Sequence, residues 1–450
     1  MIGKGFSHLK NKYRWFFTCF LCNFLIATIS HASPSYSAWI EKALKLQRAI
    51  DLHAPLNEAT FIGTHNSYNS KYYANSARYI DPNQLLSITD QLETGIRSLE
   101  FDVHWTTNKN LLKDLLLCHA GSNHIGCSLF DRKVIEGLEE LRNWLKENPN
   151  EIVLLYIDRY LNGHEPRFAA LLDQYLGHYI YQPSVLRKPN DKSKGCIAIP
   201  SHLTKATILD AGKQLIIVAK RCDGQNPRYE EQDQFKQIWN DYVFAGIGDI
   251  PSKPYTFIDA TVTHFTAYPD CGKTKIFYPD LNHTSLWRIY EDRTLGGSIQ
   301  TPQKKLEADG MHELMKCGIN WPTMDKLEKN DARLQAAIWS WAPFYPKEGN
   351  GSCVIYKKDE GFKNMPCTQT KAGYACQETG THTIKAISMI GTWLAGESIC
   401  QMIAGKNWHF AVPVNGAQLD KLKLSMNTAL LQEVWLNNVV DGQENWKTMG

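Results

Sequence analysis

The chain has 450 residues, 43% of them hydrophobic, and a formal net charge of +3. This is enough apolar content for a sizeable core, in roughly two to three domains or one large barrel with a smaller module. The small charge, with no dense Lys/Arg run beyond the N-terminus, argues against a nucleic-acid partner.

Residues 1–33 read as a secretion signal. Lys4, Lys10, Lys12 and Arg14 give a basic front, Trp15 to Ile29 is apolar, and His31-Ala32-Ser33 offers small residues for cleavage. The alternative is a single membrane anchor. The protein is therefore expected outside the cytoplasm, secreted or periplasmic. Of twelve cysteines, Cys19 and Cys22 would leave with the signal. The remaining even count favours disulfides in an exported chain. Cys118 and Cys127 are spaced to close a small loop beside His119. Zinc is the weaker alternative, because no C-x-x-C pair has a partner pair.

Ser37 to Leu52 is amphipathic, with Trp39, Ile40, Ala43, Leu44 and Ile50 near one helical face. Four short apolar runs come next, each ending in polar groups. They lead to His65-Asn66, to Glu100 and Asp102, to His119, and to Asp158. Such runs predict buried strands of a parallel sheet, and polar groups at their C-terminal ends predict the mouth of a barrel. A helix is expected over Gly137–Asn148, stopped by Pro149. Gln214–Lys220 predicts a fifth strand. Thr256–Thr263 or Leu286–Tyr290 supplies a sixth, Gly318–Pro322 a seventh and Ala336–Trp341 an eighth. Strands alternating with helices predict an α/β fold, an irregular TIM-type (β/α)8 barrel.

Glu100 and Asp102 are two residues apart on one strand, so both side chains leave the same face. Facing carboxylates stay ionised only with a positive group between them; otherwise one takes up a proton. Asn66 and Asp158 add an amide oxygen and a third carboxylate. An all-oxygen set from separate strands predicts a hard cation, calcium above magnesium. The alternative is a plain ion pair with Arg97 or a similar base. His65 and His119 close the site and suit phosphoryl chemistry. One imidazolium stabilises charge on the phosphoryl oxygens, and the other protonates the departing alkoxide. Of the remaining histidines, His104 stands nearest to this site in sequence, two residues past Asp102.

The G-T-H-N-S-Y stretch at 63–68, L-E-F-D at 99–102, L-C-H-A-G at 117–121 and I-V-L-L-Y-I-D at 152–158 resemble, in order and spacing, the catalytic half of phosphatidylinositol-specific phospholipases C. The resemblance implies that His65 stabilises the pentacoordinate transition state and His119 acts as general acid toward diacylglycerol. Asn66, Glu100, Asp102 and Asp158 would hold Ca2+, as in the calcium-dependent type, and Glu100 would be the base toward the inositol 2-hydroxyl. Lys220 resembles a lysine that holds head-group phosphate. Glu291-Asp292-Arg293 and Trp339-Ser340-Trp341 are expected at the rim. The arginine and tyrosine that clasp the ring in eukaryotic members have no evident counterpart. The implied partner is a phospholipid at a membrane surface, and a monomer is assumed. Glycerophosphodiesterases and phospholipases D of the same barrel type are the alternative, and an exported glycan-binding adhesin is the non-enzymatic one.

Near Pro346 the composition shifts. Residues 34–346 are expected to form the barrel and 347–450 a smaller, disulfide-containing module. Thr392-Trp393-Leu394-Ala395, Cys400, Phe410-Ala411-Val412-Pro413 and Val434-Trp435-Leu436-Asn437 resemble a shortened C-type-lectin-like fold.

Overall fold

The computed structural model describes residues 36–187, 197, 199–200, 202–219, 239–245, 257–261, 286–295, 305–381, 383–440 and 446–447. The expected signal at 1–33 and Lys220 lie outside them.

Helix α1 (Tyr36–Ile50) buries Trp39, Ile40, Ala43, Leu44, Gln47 and Ile50, the face its periodicity predicts. The chain then builds a barrel sheet from β1 (Gly63–Thr64), β2 (Ser98–Thr107), β3 (Lys113–Leu117), β4 (Val153–Tyr160), β5 (Leu215–Ala219), β6 (Phe244–Ala245), β7 (Phe257–Thr261), β8 (Leu286–Tyr290) and β9 (Trp321–Met324). Eight of these run parallel in the order β6-β5-β4-β2-β1-β9-β8-β7. The first strand pairs with the last, with Gly63 opposite both Ser98 and Thr323. The sheet therefore curls back on itself as an irregular TIM-type barrel; among the described residues no pairing joins β6 to β7. Helix α2 (Ile88–Glu93) precedes β2, and α3 (Val134–Glu147) lies between β3 and β4.

Three expectations need correcting. The run ending at His119 is not a parallel barrel strand: β3 is antiparallel to β2, with Val103 opposite Leu117. Only residues 108–112 join the two strands, and a parallel crossover needs a dozen or more. Ala336–Trp341 is not a strand. Helix α7 (Ala332–Ala336; α4 to α6 are Glu165–Leu176, Lys205–Asp210 and Ala308–Lys316) ends there, and the following backbone bonds to a side chain and, at Trp341, forms a single bridge to Phe362. Gln47 donates to the Ala337 carbonyl at 3.0 Å and accepts from the Trp339 N–H at 2.9 Å. Thr256–Thr263 and Leu286–Tyr290 are not alternatives; both form strands, and the two-residue β6 is too short to have left a pattern.

Alternation divides β4 and β5 between two layers. Leu154 and Tyr156 of β4, Ile216 and Val218 of β5, Phe244, Leu286 and Trp321 pack together inside the ring. Leu99, Phe101, Leu155, Ile157, Ile217 and Ala219 pack outward under the helices. By the same two-residue period, Ser98, Glu100 and Asp102 turn inward, and the indole of Trp321 donates to Ser98 Oγ at 2.6 Å.

Beyond the barrel lie β10 (Cys353–Lys357), β11 (Gly361–Met365), β12 (Lys371–Glu378), β13 (Ile384–Gly391), β14 (Trp408–Phe410), β15 (Glu433–Val440) and β16 (Trp446–Lys447). They form a second, mostly antiparallel sheet with α8 (Gly396–Ala404) and α9 (Gly416–Thr428). Cys353–Cys367 and Cys376–Cys400 are disulfides within it. The sheet packs on the barrel. Gln418 donates to Glu58 at 2.8 Å, and Gly416 lies so close to the Met315 carbonyl that an added Cβ would stand 2.5 Å away. Trp339 and Trp341 sit on this side, against Phe362 and Trp446, and not at the rim.

Candidate active site

The inward positions of β2, β4 and β8 become polar toward their C-terminal ends. Glu100 and Asp102 stand on β2, Asp158 opposite Asp102 on β4, and Arg288 and Tyr290 on β8. His65 and Asn66 leave the end of β1, and Asp325 the end of β9. Glu100, Asp102, His65, Asn66, Arg288 and Asp325 are all buried.

His65 is held from both sides. Its Nδ1 lies 3.2 Å from Asp325 Oδ1, and its Nε2 3.9 Å from Glu100 Oε2. Burial alone would lower its pKa. The carboxylates of Glu100 and Asp325 outweigh that and lift it to about 9. The ring is therefore an imidazolium at neutral pH, and it packs against Tyr290 with ring centres 5.0 Å apart. Asp325 is in turn fixed by Asn83 Nδ2 at 2.9 Å and the Arg293 N–H at 2.5 Å.

Glu100 accepts from the Asn66 N–H at 3.1 Å and is ion-paired with Arg288. The Arg288 guanidinium lies over the rings of Tyr156, Tyr290 and Trp321. The alternative of a plain ion pair is met for Glu100, with Arg288 as the base and not Arg97. Arg97 bonds to Glu151 at 2.8 Å and stacks on Trp144.

Asp102 accepts from the Tyr68 hydroxyl at 3.0 Å. Burial, then Glu100, then Asp158 push its pKa well above the usual carboxylate range. A cation beside this carboxyl would oppose that shift. One end of the Asn66 amide lies 3.0 and 3.1 Å from the two Asp102 oxygens, and the other end 3.2 Å from His65 Nε2. With its NH2 toward Asp102, Asn66 bridges Asp102 to His65. With its oxygen toward Asp102, three oxygens converge, an arrangement that only a cation makes favourable. The first orientation satisfies both ends of the amide without an ion, and the second is the one in which the oxygens would hold a hard cation at the Asp102 side. Glu100, Asp102 and Asp158 together are not among the tightest ligand groups of the described residues. His65, Asp292 and Asp325 are one such group, their ligand atoms within 4.8 Å of one another.

His119 follows β3 and is half-buried. Burial and the positive His65 lower its pKa; Asp292, Asp325 and Asp81 oppose this. Tertiary structure thus gathers His65, Asn66, Glu100, Asp102 and Asp158 at one mouth, with His119 close enough to feel the charge of His65. Glu291 is buried and pairs with Arg333 at 2.6 Å; burial raises its pKa to about 7. His104 lies outside this cluster, its Nδ1 2.9 Å from Nδ1 of His124.

Residues 26–236 match the family described as "Rv2075c PI-PLC-like domain". Over these residues the chain carries a PI-PLC-like domain. Among relatives of this PI-PLC-like protein, the "Uncharacterized protein Rv2075c" of Mycobacterium tuberculosis H37Rv is 25% identical over 405 residues, 86% of this chain and 77% of its own. The "PI-PLC X domain-containing protein At5g67130" of Arabidopsis thaliana is 31% identical over 121 residues, 26% of this chain and 27% of that one. Among solved structures, a phosphatidylinositol-specific phospholipase C from Listeria monocytogenes aligns over 66% of this chain and 97% of that one, at 15% identity and a TM-score of 0.38. A calcium-dependent phosphoinositol-specific phospholipase C from a Pseudomonas species aligns over 63% and 97%, at 14% identity and a TM-score of 0.39.

Sequence reasoning missed Arg288, Tyr290 and Asp325 in this PI-PLC-like protein. Two signals for them exist. Arg288 interrupts the apolar run Leu286–Tyr290 at an inward position. Asp325 directly follows a buried strand, the same pattern that marks His65 and Asp158.

Proposed function

We propose that the protein is an exported, calcium-dependent phosphodiesterase that cleaves phosphatidylinositol-type lipids to diacylglycerol and a cyclic inositol phosphate, which water then opens. The observation that carries this reading is the imidazolium of His65, held between Glu100 and Asp325 beside a second histidine, His119, and an oxygen-rich pocket.

In this reading Glu100 takes the proton from the inositol 2-hydroxyl, which attacks the phosphorus of its own head group. Intramolecular attack replaces an encounter with a positioned neighbour. His65 donates hydrogen bonds to the phosphoryl oxygens as negative charge builds there. His119 gives its proton to the diacylglycerol oxygen as that bond breaks. Its lowered pKa rises when the phosphodiester anion enters between the two rings, because a nearby negative charge favours the charged imidazole. Ca2+ held by Asn66, Glu100, Asp102 and Asp158 would supply positive charge toward the phosphodiester and the attacking hydroxyl. Lys220 and Arg288 would face the head group.

The partner is a membrane surface, approached by a monomer. Ile80, Ile125, Phe130 and Leu295 are exposed on loops beyond the barrel mouth. These loops are tied together: Leu295 N–H donates to Asp81 at 2.7 Å, and Arg78 to the Phe130 carbonyl at 3.3 Å. Export is supported by the Cys118–Cys127, Cys353–Cys367 and Cys376–Cys400 disulfides and by a relative from Arthroderma benhamiae named "Uncharacterized secreted protein". Among the described residues no helix is long and apolar enough to cross a membrane.

Incubation with a phospholipid panel, with products identified by mass, tests the reading. Diacylglycerol with cyclic inositol phosphate is expected. A phosphatidate-like product with a free alcohol would assign the protein to the phospholipase D type instead.

A further inference from the structure

A second cluster of metal-ligating side chains lies beside the site and takes no part in the proposed reaction. Cys118 and Cys127 are joined as a disulfide, with Cα atoms 5.3 Å apart. A ring nitrogen of His104 and the two sulfurs all lie within 4.8 Å of one another. His104 Nδ1 is 2.9 Å from Nδ1 of His124, whose Nε2 meets the Asn162 amide at 2.8 Å. His104 is fully buried, and its Nε2 makes no hydrogen bond of normal geometry, although the Ala120 carbonyl faces the ring. His104 and the two sulfurs thus form the core of the cluster, and His124 joins it through Nδ1 of His104.

We propose that Cys118, Cys127, His104 and His124 form a Cys2His2 site for zinc once the disulfide is opened. The oxidised form is the disulfide, and the reduced form is the metal complex. Opening takes two electrons and two protons from an external dithiol: its thiolate attacks the half-buried Cys127 sulfur, its second thiol closes a cyclic disulfide, and both cysteines leave as thiols. Zinc then displaces one proton from each thiol. Two thiolates cancel the charge of the ion, so the complex is neutral and tolerates the buried position of His104. Two sulfur and two imidazole donors suit tetrahedral zinc and not the calcium of the oxygen-lined pocket. His119 directly follows Cys118, so exchanging a sulfur–sulfur bond for a metal bridge would also shift that imidazole.

The test uses the full chain and Co2+ as a coloured substitute for zinc. After treatment with a dithiol and removal of excess reductant, Co2+ should give tetrahedral d–d bands and a sulfur-to-cobalt charge-transfer band. Zn2+ should bleach both. The untreated chain should show neither. The Cys118→Ser/Cys127→Ser double variant should lose the bands, although its other disulfides remain reducible. His124→Ala, at a half-buried loop position, should alter the d–d bands while the disulfide still forms in the oxidised chain. Unchanged bands in the double variant, no charge-transfer band after reduction, or loss of the circular-dichroism spectrum on reduction would each overturn the proposal. The readout is independent of turnover, so it stands apart from any failure of the phosphodiesterase reading.

Discussion

Asp325 Oδ1 stands 3.2 Å from Nδ1 of His65, across the line where the last barrel strand closes on the first. Two residues 260 positions apart in sequence thus form one charged pair at the floor of the mouth.

That pair sets a pH limit. His65 has a folded-state pKa of about 9, against roughly 6.5 in an unfolded chain. The charged form is favoured by folding, so its stabilising contribution is complete below the unfolded value and is lost as pH rises toward 9. Activity that needs the imidazolium should fall on the same alkaline limb. In Asp325→Asn, one supporting charge is gone, and the limb should move to lower pH. A rate profile with its limb unmoved would remove Asp325 from this role.

His119 as general acid predicts dependence on the leaving group. His119→Ala should lower turnover of a lipid substrate by about 10²–10⁴-fold. The loss should shrink for a substrate with an acidic phenol as leaving group, because a phenolate departs without a proton. Equal losses on both substrates would assign His119 to binding or positioning.

The crowded carboxylates predict a metal requirement. Chelation with EGTA should abolish turnover, and added Ca2+ should restore it. Calorimetry should detect Ca2+ binding to the wild-type chain, and Asp102→Asn should weaken it, since burial and then Glu100 and Asp158 raise the pKa of this carboxylate and a cation would relieve that. Full activity in EGTA would assign the positive charge to Arg288 and His65 alone.

Gly63 is a structural test of how His65 is placed. A Cβ there would lie 2.8 Å from Ser98 Cβ and 2.8 Å from Thr323 Cγ2, with a neighbouring strand on each side. Gly63→Ala should destabilise the fold by about 1–3 kcal/mol, the usual cost of overpacking. Urea denaturation reads the stability, and turnover should fall because His65 lies two residues on. A stability equal to wild type would mean that β1 yields easily.

Local pattern is most informative at the strand tips. Residues 63–66, 98–102 and 153–158 declared their strands and their terminal polar groups through that pattern alone. A run of apolar residues must be buried, and the polar residues at its end must face a rim. The same rule, applied to β3, gave its position but not its direction. Direction depended on a connection of five residues, 108–112, too short for a crossover. It also misled at Trp339–Trp341, where apolar residues are buried against the second sheet and join it by a single bridge at Phe362, not as a barrel strand.

The sequence by itself therefore determined the barrel class, both histidines and the oxygen-bearing residues of the mouth, because each is written in a two-residue period or a strand end. Only the tertiary structure decided the partners: Arg288 on Glu100, Asp325 on His65, Glu151 on Arg97. Those pairings arise when the sheet curls and brings distant strands side by side, and no local periodicity carries that information.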